Sequence, residues 1–254
     1  MKTYNALTKY FTDEVQTKIV EGELSLDEIF NEIKYDIKIT YKDGEHNGHY
    51  YVDLGLPSGT MWATFNVGSN NIIDNGLLFQ WGRVDGYRYD DQNNKFITPE
   101  QNKEDTGNEY IPVTTSGATY DESNILKLED DAAHVNMGGD WRMPTKDELQ
   151  ELFDNTKHDV VTVNGVKGML FTSNINGHKL FIPFSGYFGD SNFRWLGYNA
   201  NIWSSSVHET YTNDAYSLYF NADNNVLIFS YYRSYGFSVR GVYINKLKNK
   251  NENI

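Results

Sequence analysis

The residues with the most site-like spacing are Asp130, Asp131 and His134. With a few backbone carbonyls they would suit calcium, or another metal taken through the imidazole. The competing reading is that the two carboxylates accept backbone N–H bonds in the turn that delivers Trp141 and the cap of the helix that follows. A calcium loop alternates oxygen ligands around a glycine, and this stretch lacks that alternation, so the turn reading is favoured and no metal is expected. Asp85, Asp90 and Asp91 with Asn93 and Asn94 read the same way, as a solvated loop. The 35 carboxylates supply acid pairs at many spacings, but nothing fixes one pair in a pocket. With no cysteine there is no thiol nucleophile, thiolate metal site or disulfide. No catalytic residue and no cofactor are therefore expected, and the chain reads as non-enzymatic.

What the composition offers instead is contact surface. There are 19 Tyr, 14 Phe and 5 Trp beside 21 Gly, and Tyr and Trp give contact area at low entropic cost while Ser, Asn and Gly adapt their hydrogen bonds. A net charge of −13 repels a phosphate backbone, and only the short stretch Lys246 to Lys250 is basic, so nucleic acid is not an expected partner. The start, MKTYNALTKYFTDEVQ, lacks an apolar signal-peptide core, and no window approaches 18 consecutive apolar residues. A soluble chain, without membrane insertion or secretory export, is the expectation.

The elements that would position these groups are marked unevenly. Tyr4, Leu7, Phe11, Val15 and Ile19 recur at helical spacing before Gly22, and a second helix opens at Ser25 with Glu28 in capping-box register. Residues 1–34 are thus a small helical segment with more apolar surface than two short helices bury on each other. They must pack on the rest of the chain or on another molecule, an assembly or a second copy; attachment is the reading taken here. Residues 35–49 change to period two, Tyr35, Ile37, Ile39 and Tyr41, with a turn expected at Asp43–Gly44 before the run Tyr50 to Leu54. Asp85 to Glu109 reads as a long polar connection. Only one further helix is expected, opened by Thr145 with Glu148 three residues on. Asn164–Gly165 and Asn176–Gly177 predict two-residue hairpins in a meander ending at Leu180 to Phe184. Strands follow at Ala215 to Phe220, Val226 to Tyr231 and Phe237 to Tyr243, and residues 245–254 form a polar tail.

Three ordered stretches carry a resemblance: Tyr51-Val-Asp-Leu-Gly-Leu-Pro-Ser-Gly-Thr-Met-Trp-Ala-Thr-Phe-Asn-Val-Gly68, then Asp130-Asp-Ala-Ala-His-Val-Asn-Met-Gly-Gly-Asp-Trp-Arg-Met-Pro-Thr145, and finally Trp203-Ser-Ser-Ser206 with Arg233-Ser-Tyr-Gly-Phe-Ser-Val-Arg240. Together they resemble the Fibrobacter succinogenes major paralogous domain (FISUMP), a family of gut Bacteroidetes and their phages, over about residues 50–244. The resemblance implies an α+β, C-type-lectin-like domain: a twisted antiparallel sheet, few helices and long loops, preceded here by the helical segment. The fold is shared with formylglycine-generating enzymes, whose oxidation chemistry needs the cysteines this chain lacks, and with retroelement-diversified receptor-binding proteins. Trp62, Trp81, Trp141 and Trp203 lie in or next to the motifs and are expected as core pillars, with Arg142 and Arg240 as structural partners of carboxylates or carbonyls.

In the diversified relatives the C-terminal part binds ligand. By that resemblance the expected binding residues are Arg194, Trp195, Tyr198, Asn199, Asn201, Tyr211, Asn213, Tyr231, Tyr232, Arg233 and Tyr235. The implied function is that of an adhesin, receptor-binding or decoration protein, a phage virion component that recognises a cell-surface glycan or protein and is anchored through residues 1–34. The alternatives are a cytoplasmic scaffold of the same fold and an inactive relative of the formylglycine-generating enzymes.

Overall fold

The computed structural model describes residues 42–90, 95–97, 118–189 and 192–245. The expected helices in residues 1–34, the alternating strand 35–41 and the tail beyond Asn245 lie outside the described residues.

A hairpin opens the described chain, with β1 (Gly44–His46) and β2 (His49–Asp53) joined at Asn47–Gly48. Both turn residues have positive φ, 46° and 79°, as a tight two-residue hairpin turn requires. The turn expected at Asp43–Gly44 is therefore displaced. Gly44 pairs with Tyr51 in the ladder, and a Cβ there would come within 2.5 Å of the Tyr51 hydroxyl, so this glycine serves close approach. β2 continues onto β3 (Thr60–Asn66), and β3 onto β16 (Arg240–Ile244), giving a four-stranded antiparallel sheet.

The expected meander is present as β7 (Thr156–Val163), β8 (Val166–Ser173) and β9 (Lys179–Pro183). Asn164–Gly165 makes its two-residue turn, with φ 48° and 79°. Asn176–Gly177 does not: it belongs to a five-residue connection in which the Ser173 hydroxyl accepts N–H bonds from Ile175 and Asn176. Helix α2 (Lys146–Asp154) starts on Thr145 with the full capping box to Glu148. A second short helix, α1 (Ala132–Met137), was not expected. Its cap is Asp131, whose side chain accepts from His134 N–H.

The largest sheet has seven strands in the order β11 (Asn192–Arg194), β10 (Tyr187–Gly189), β15 (Gly236–Ser238), β12 (Asn199–Val207), β13 (Asp214–Asn221), β14 (Val226–Tyr232), with β4 (Leu78–Gln80) also pairing β15. The single strand expected over Phe237–Tyr243 is divided at Val239, so that β15 joins this sheet and β16 the four-stranded one. Within the expected polar connection β5 (Arg88–Asp90) and β6 (Lys95–Ile97) form a small hairpin.

Two clusters of buried side chains lie against the large sheet. One takes Ala200, Ile202, Leu218 and Phe220 with Leu149 and Leu152 of α2, Phe171 and Ile182 of the meander, and Trp62. The other takes Trp203, Ala215 and Phe237 with Trp81, Trp141 and the α1 residues Ala132, Ala133 and Met137. Trp62, Trp81, Trp141 and Trp203 are fully buried, as pillars should be. The chain is thus an α+β protein of mostly antiparallel sheets with few helices. No helix among the described residues is long and apolar enough to cross a membrane.

Candidate functional site

The register of the large sheet builds the site. Alternate residues of a strand share a face, and directly opposed residues share it too. Asn199, Asn201 and Trp203 of β12 therefore face the same way as their partners Asn221, Tyr219 and Ser217 on β13. On β14 the same side carries Leu227, Phe229 and Tyr231, opposite Tyr219, Ser217 and Ala215. The second cluster covers this face only where Trp203, Ala215 and Phe237 lie. Beyond it the face is open: Leu227 is 56% exposed and Phe229 55%. Exposed apolar residues on a terminal strand of a sheet demand an explanation.

An open groove of about 390 Å³ occupies this uncovered region. Four of the sequence-derived binding residues meet in it, Trp195, Tyr198, Asn199 and Tyr231, joined by Tyr187, Tyr219, Leu227 and Phe229, which sequence reasoning missed. Its eight lining side chains carry no formal charge. The Trp195 and Tyr198 rings lie 5.5 Å apart, and the Tyr198 hydroxyl donates to Asp223, a bond that raises the phenol above its ordinary pKa. Burial first, then the neighbouring phenols of Tyr187 and Tyr219, push Tyr231 up as well.

The lip that carries the Trp195 ring is tightly specified. Trp195 itself has φ 65°, in the left-handed region that a bulky residue enters only when its surroundings hold it there. They do: its carbonyl accepts from both Tyr198 and Asn199 N–H, Gly197 N–H is held by Phe184 O, and Gly186 N–H by Asn199 O. Gly186, at φ 64°, leaves no room for a Cβ, which would meet Arg194 O at 2.5 Å. Asn199 also lines the groove. It is only 5% exposed, and its Oδ1 has no hydrogen-bond partner among the described residues.

The remaining expected binding residues do not converge there. Asn201, 1% exposed, lies under the sheet surface as a buried polar residue and is not a surface contact. Asn199 lines the groove while being largely buried. Tyr235 is half-buried, its ring packed against Tyr187, Tyr231 and Phe237 and closing over Gly189. The Arg233 guanidinium stacks over Trp81 at 4.4 Å and donates to Thr212 O, so it braces the β12–β13 loop. Tyr211, Asn213 and Tyr232 are exposed around that loop, away from the groove lining. Arg194 is exposed on β11, before the Trp195 lip.

The acidic cluster has the turn role. Asp131 accepts from His134 N–H and from Met143 N–H, Asp130 accepts from Thr119 N–H and hydroxyl, and the His134 ring nitrogen meets Trp141 O at 3.0 Å. No group of three metal-ligating side chains occurs among the described residues. Arg142 makes two bonds to Glu148, each 2.6 Å, and buried Arg240 donates to Ala63, Thr64 and Phe181 carbonyls. Burial pulls Arg240 down to about 9, which leaves it cationic at neutral pH.

What fold and site define together is a mostly antiparallel α+β protein with an uncharged aromatic groove on one sheet face. No family model, curated protein or solved structure matches the chain.

Proposed function

We propose that this chain is a non-enzymatic recognition protein that binds a surface glycan or protein through the aromatic face formed by β12, β13, β14 and the Trp195 lip. The observation that carries the reading is the open row Leu227, Phe229 and Tyr231, continued by Tyr187, Trp195, Tyr198 and Tyr219 into one groove. Groups of this kind, apolar bodies with polar tips, are enriched where proteins bind partners. On the motif resemblance, we assign the domain to the C-type-lectin-like FISUMP family and the chain to a phage virion as a receptor-binding, fibre or decoration component, with residues 1–34 as its attachment segment. The groove lining holds no acid pair, thiol or imidazole, which favours binding over catalysis.

The test is a screen of the full chain against immobilised glycans and whole bacterial cells, repeated with Phe229→Lys. Phe229 is exposed, so the variant should fold as the wild type does. Binding lost only in the variant supports the reading, whereas binding equal in both places recognition elsewhere.

A further inference from the structure

We infer that the outer edge of β14 pairs with the same edge of a second copy, antiparallel and centred on Phe229, so that two large sheets join as one. The register of the β13–β14 ladder shows what that edge presents. Asn221 N–H donates to Asn225 O at the turn, and Arg233 N–H to Asn213 O at the far end. Between them the register runs without a bulge, and in an antiparallel ladder hydrogen-bonded pairs alternate with non-bonded ones. The bonded pairs are therefore Leu227 with Tyr219, Phe229 with Ser217 and Tyr231 with Ala215. The backbone groups of Val226, Ile228, Ser230 and Tyr232 point the other way, out of the edge of the sheet. Among the described residues only the Tyr232 carbonyl is taken, by Tyr235 N–H, and no strand pairs with this edge.

Every other terminal strand among the described residues is guarded against such pairing. β1, β4, β5, β6 and β11 are three residues long, β7 carries Lys157 and Asp159, and β9 begins with Lys179 and ends with Pro183. β16 is covered at Val242, which exchanges both backbone bonds with Arg142. β14 has seven residues, Val-Leu-Ile-Phe-Ser-Tyr-Tyr, with no charge, proline or bulge. An unguarded edge of that length is a template for another strand. The partner is a second copy because the strand complements itself, as a twofold interface requires. Of the antiparallel registers, the one centred on Phe229 pairs the strand over its full length. It sets Ile228 opposite Ser230 of the second copy, and Val226 opposite its Tyr232, as bonded pairs. Phe229 then meets its own counterpart on the twofold axis as a non-bonded pair, and Leu227 faces Tyr231 on the same side of the sheet. Each exposed apolar side chain of that row gains an apolar or aromatic neighbour, and the two acidic chains set no like charges against each other along the strands. The axis runs perpendicular to the sheet, so both grooves open on one side. The inference thus goes beyond the recognition reading without drawing on it.

Disulfide trapping tests the register directly, since the chain has no cysteine of its own. At a non-bonded antiparallel pair the Cα atoms lie about 4.5 Å apart, within the usual disulfide range of about 4.4–6.8 Å. Phe229→Cys should therefore give a covalent dimer on mild oxidation of the full chain. Leu227→Cys lies opposite Tyr231 and about 13 Å from its own counterpart, so it should form that dimer at least tenfold more slowly. Sedimentation of the unsubstituted chain should show a monomer–dimer equilibrium between low and high micromolar concentration. Ser230→Pro removes an outward N–H that bonds nothing in the ladder, so it should fold with its melting temperature little changed and weaken the dimer at least tenfold. If Ser230→Pro does not fold, the two cysteine variants decide. A monomer at every concentration, equal trapping at 227 and 229, or a dimer that folded Ser230→Pro leaves intact overturns the inference. A monomer whose Ile228 and Ser230 amides are already protected from exchange overturns it too, by showing that another part of the chain covers the edge. Ser230→Pro keeps the groove side chains, so the glycan and cell screen on that variant judges recognition separately.

Discussion

Trp195 and Tyr231 show how differently two aromatic residues of one groove answer to substitution. Trp195 is mostly exposed and sits in a conformation that costs an L-residue about 1–2 kcal/mol and glycine almost nothing. Trp195→Gly should therefore leave stability unchanged or raise it slightly in urea denaturation while abolishing ligand binding; a large loss of stability would mean the ring is a core group. Tyr231 packs on Phe229, Tyr235 and Phe237, whereas Tyr232 is 61% exposed. Tyr231→Ala should cost about 2–3 kcal/mol and Tyr232→Ala less than about 0.5 kcal/mol, an order that equal values would refute. At Glu148, burial pushes the carboxyl up, but the Arg142 guanidinium, Thr145 N–H and Thr60 hydroxyl outweigh it and hold the group below its ordinary 4.5. A depressed folded value means that this stabilisation is present above the ordinary carboxylate pKa and is lost as pH falls through and below it. Nearby Asp131 is shifted upward by burial and acts in the opposite sense, so the informative quantity is the difference between two proteins. Glu148→Gln should be less stable at pH 7 and should lose less on acidification than the wild type; parallel pH curves would contradict the pairing.

Elements were legible where a local rule decides them. Thr145 and Glu148 announced α2, Asn164–Gly165 announced its hairpin, and β13 and β14 were found within a residue because each is an apolar and aromatic run of strand length. The misses share a cause, which is that a distant partner decides. Gly44 is a strand residue because Tyr51 lies over it, and β15 and β16 separate because two sheets compete for one run of chain. Arg240 stands at that separation and joins β3 to β9 through three carbonyls. Lysine cannot reproduce the planar fork, so Arg240→Lys should cost about 3 kcal/mol by chemical denaturation; a loss below about 1 kcal/mol would show that the carbonyls find water instead. The groove itself was half legible. Polar aromatics near Asn199 pointed to it, but Leu227 and Phe229 were taken only as strand. Their signal was present in Val226-Leu-Ile-Phe229, which is apolar on both phases of the alternation. A strand with one face in the core and one in water does not read that way.

Of the two faces of the largest sheet, the one carrying Ala200, Ile202, Leu218 and Phe220 meets a core over β12 and β13, and the other only where Trp203, Ala215 and Phe237 lie. The account rests on the part of the second face that the described residues leave open being the surface of recognition. Sequence reasoning assigned recognition to C-terminal loops; the groove proposed for that role is lined from strands β10 and β12 to β14 with one loop, Trp195 to Tyr198, as a lip. That difference has physical content, since strands hold side chains at fixed spacing and lower the entropic cost of binding. The most direct measurement is hydrogen–deuterium exchange on the full chain, with and without the tightest ligand from the glycan and cell screen. The account predicts slowed exchange in residues 195–199, 217–221 and 226–232 together. Protection confined to the β12–β13 loop at residues 208–213, or to segments outside the large sheet, would contradict it.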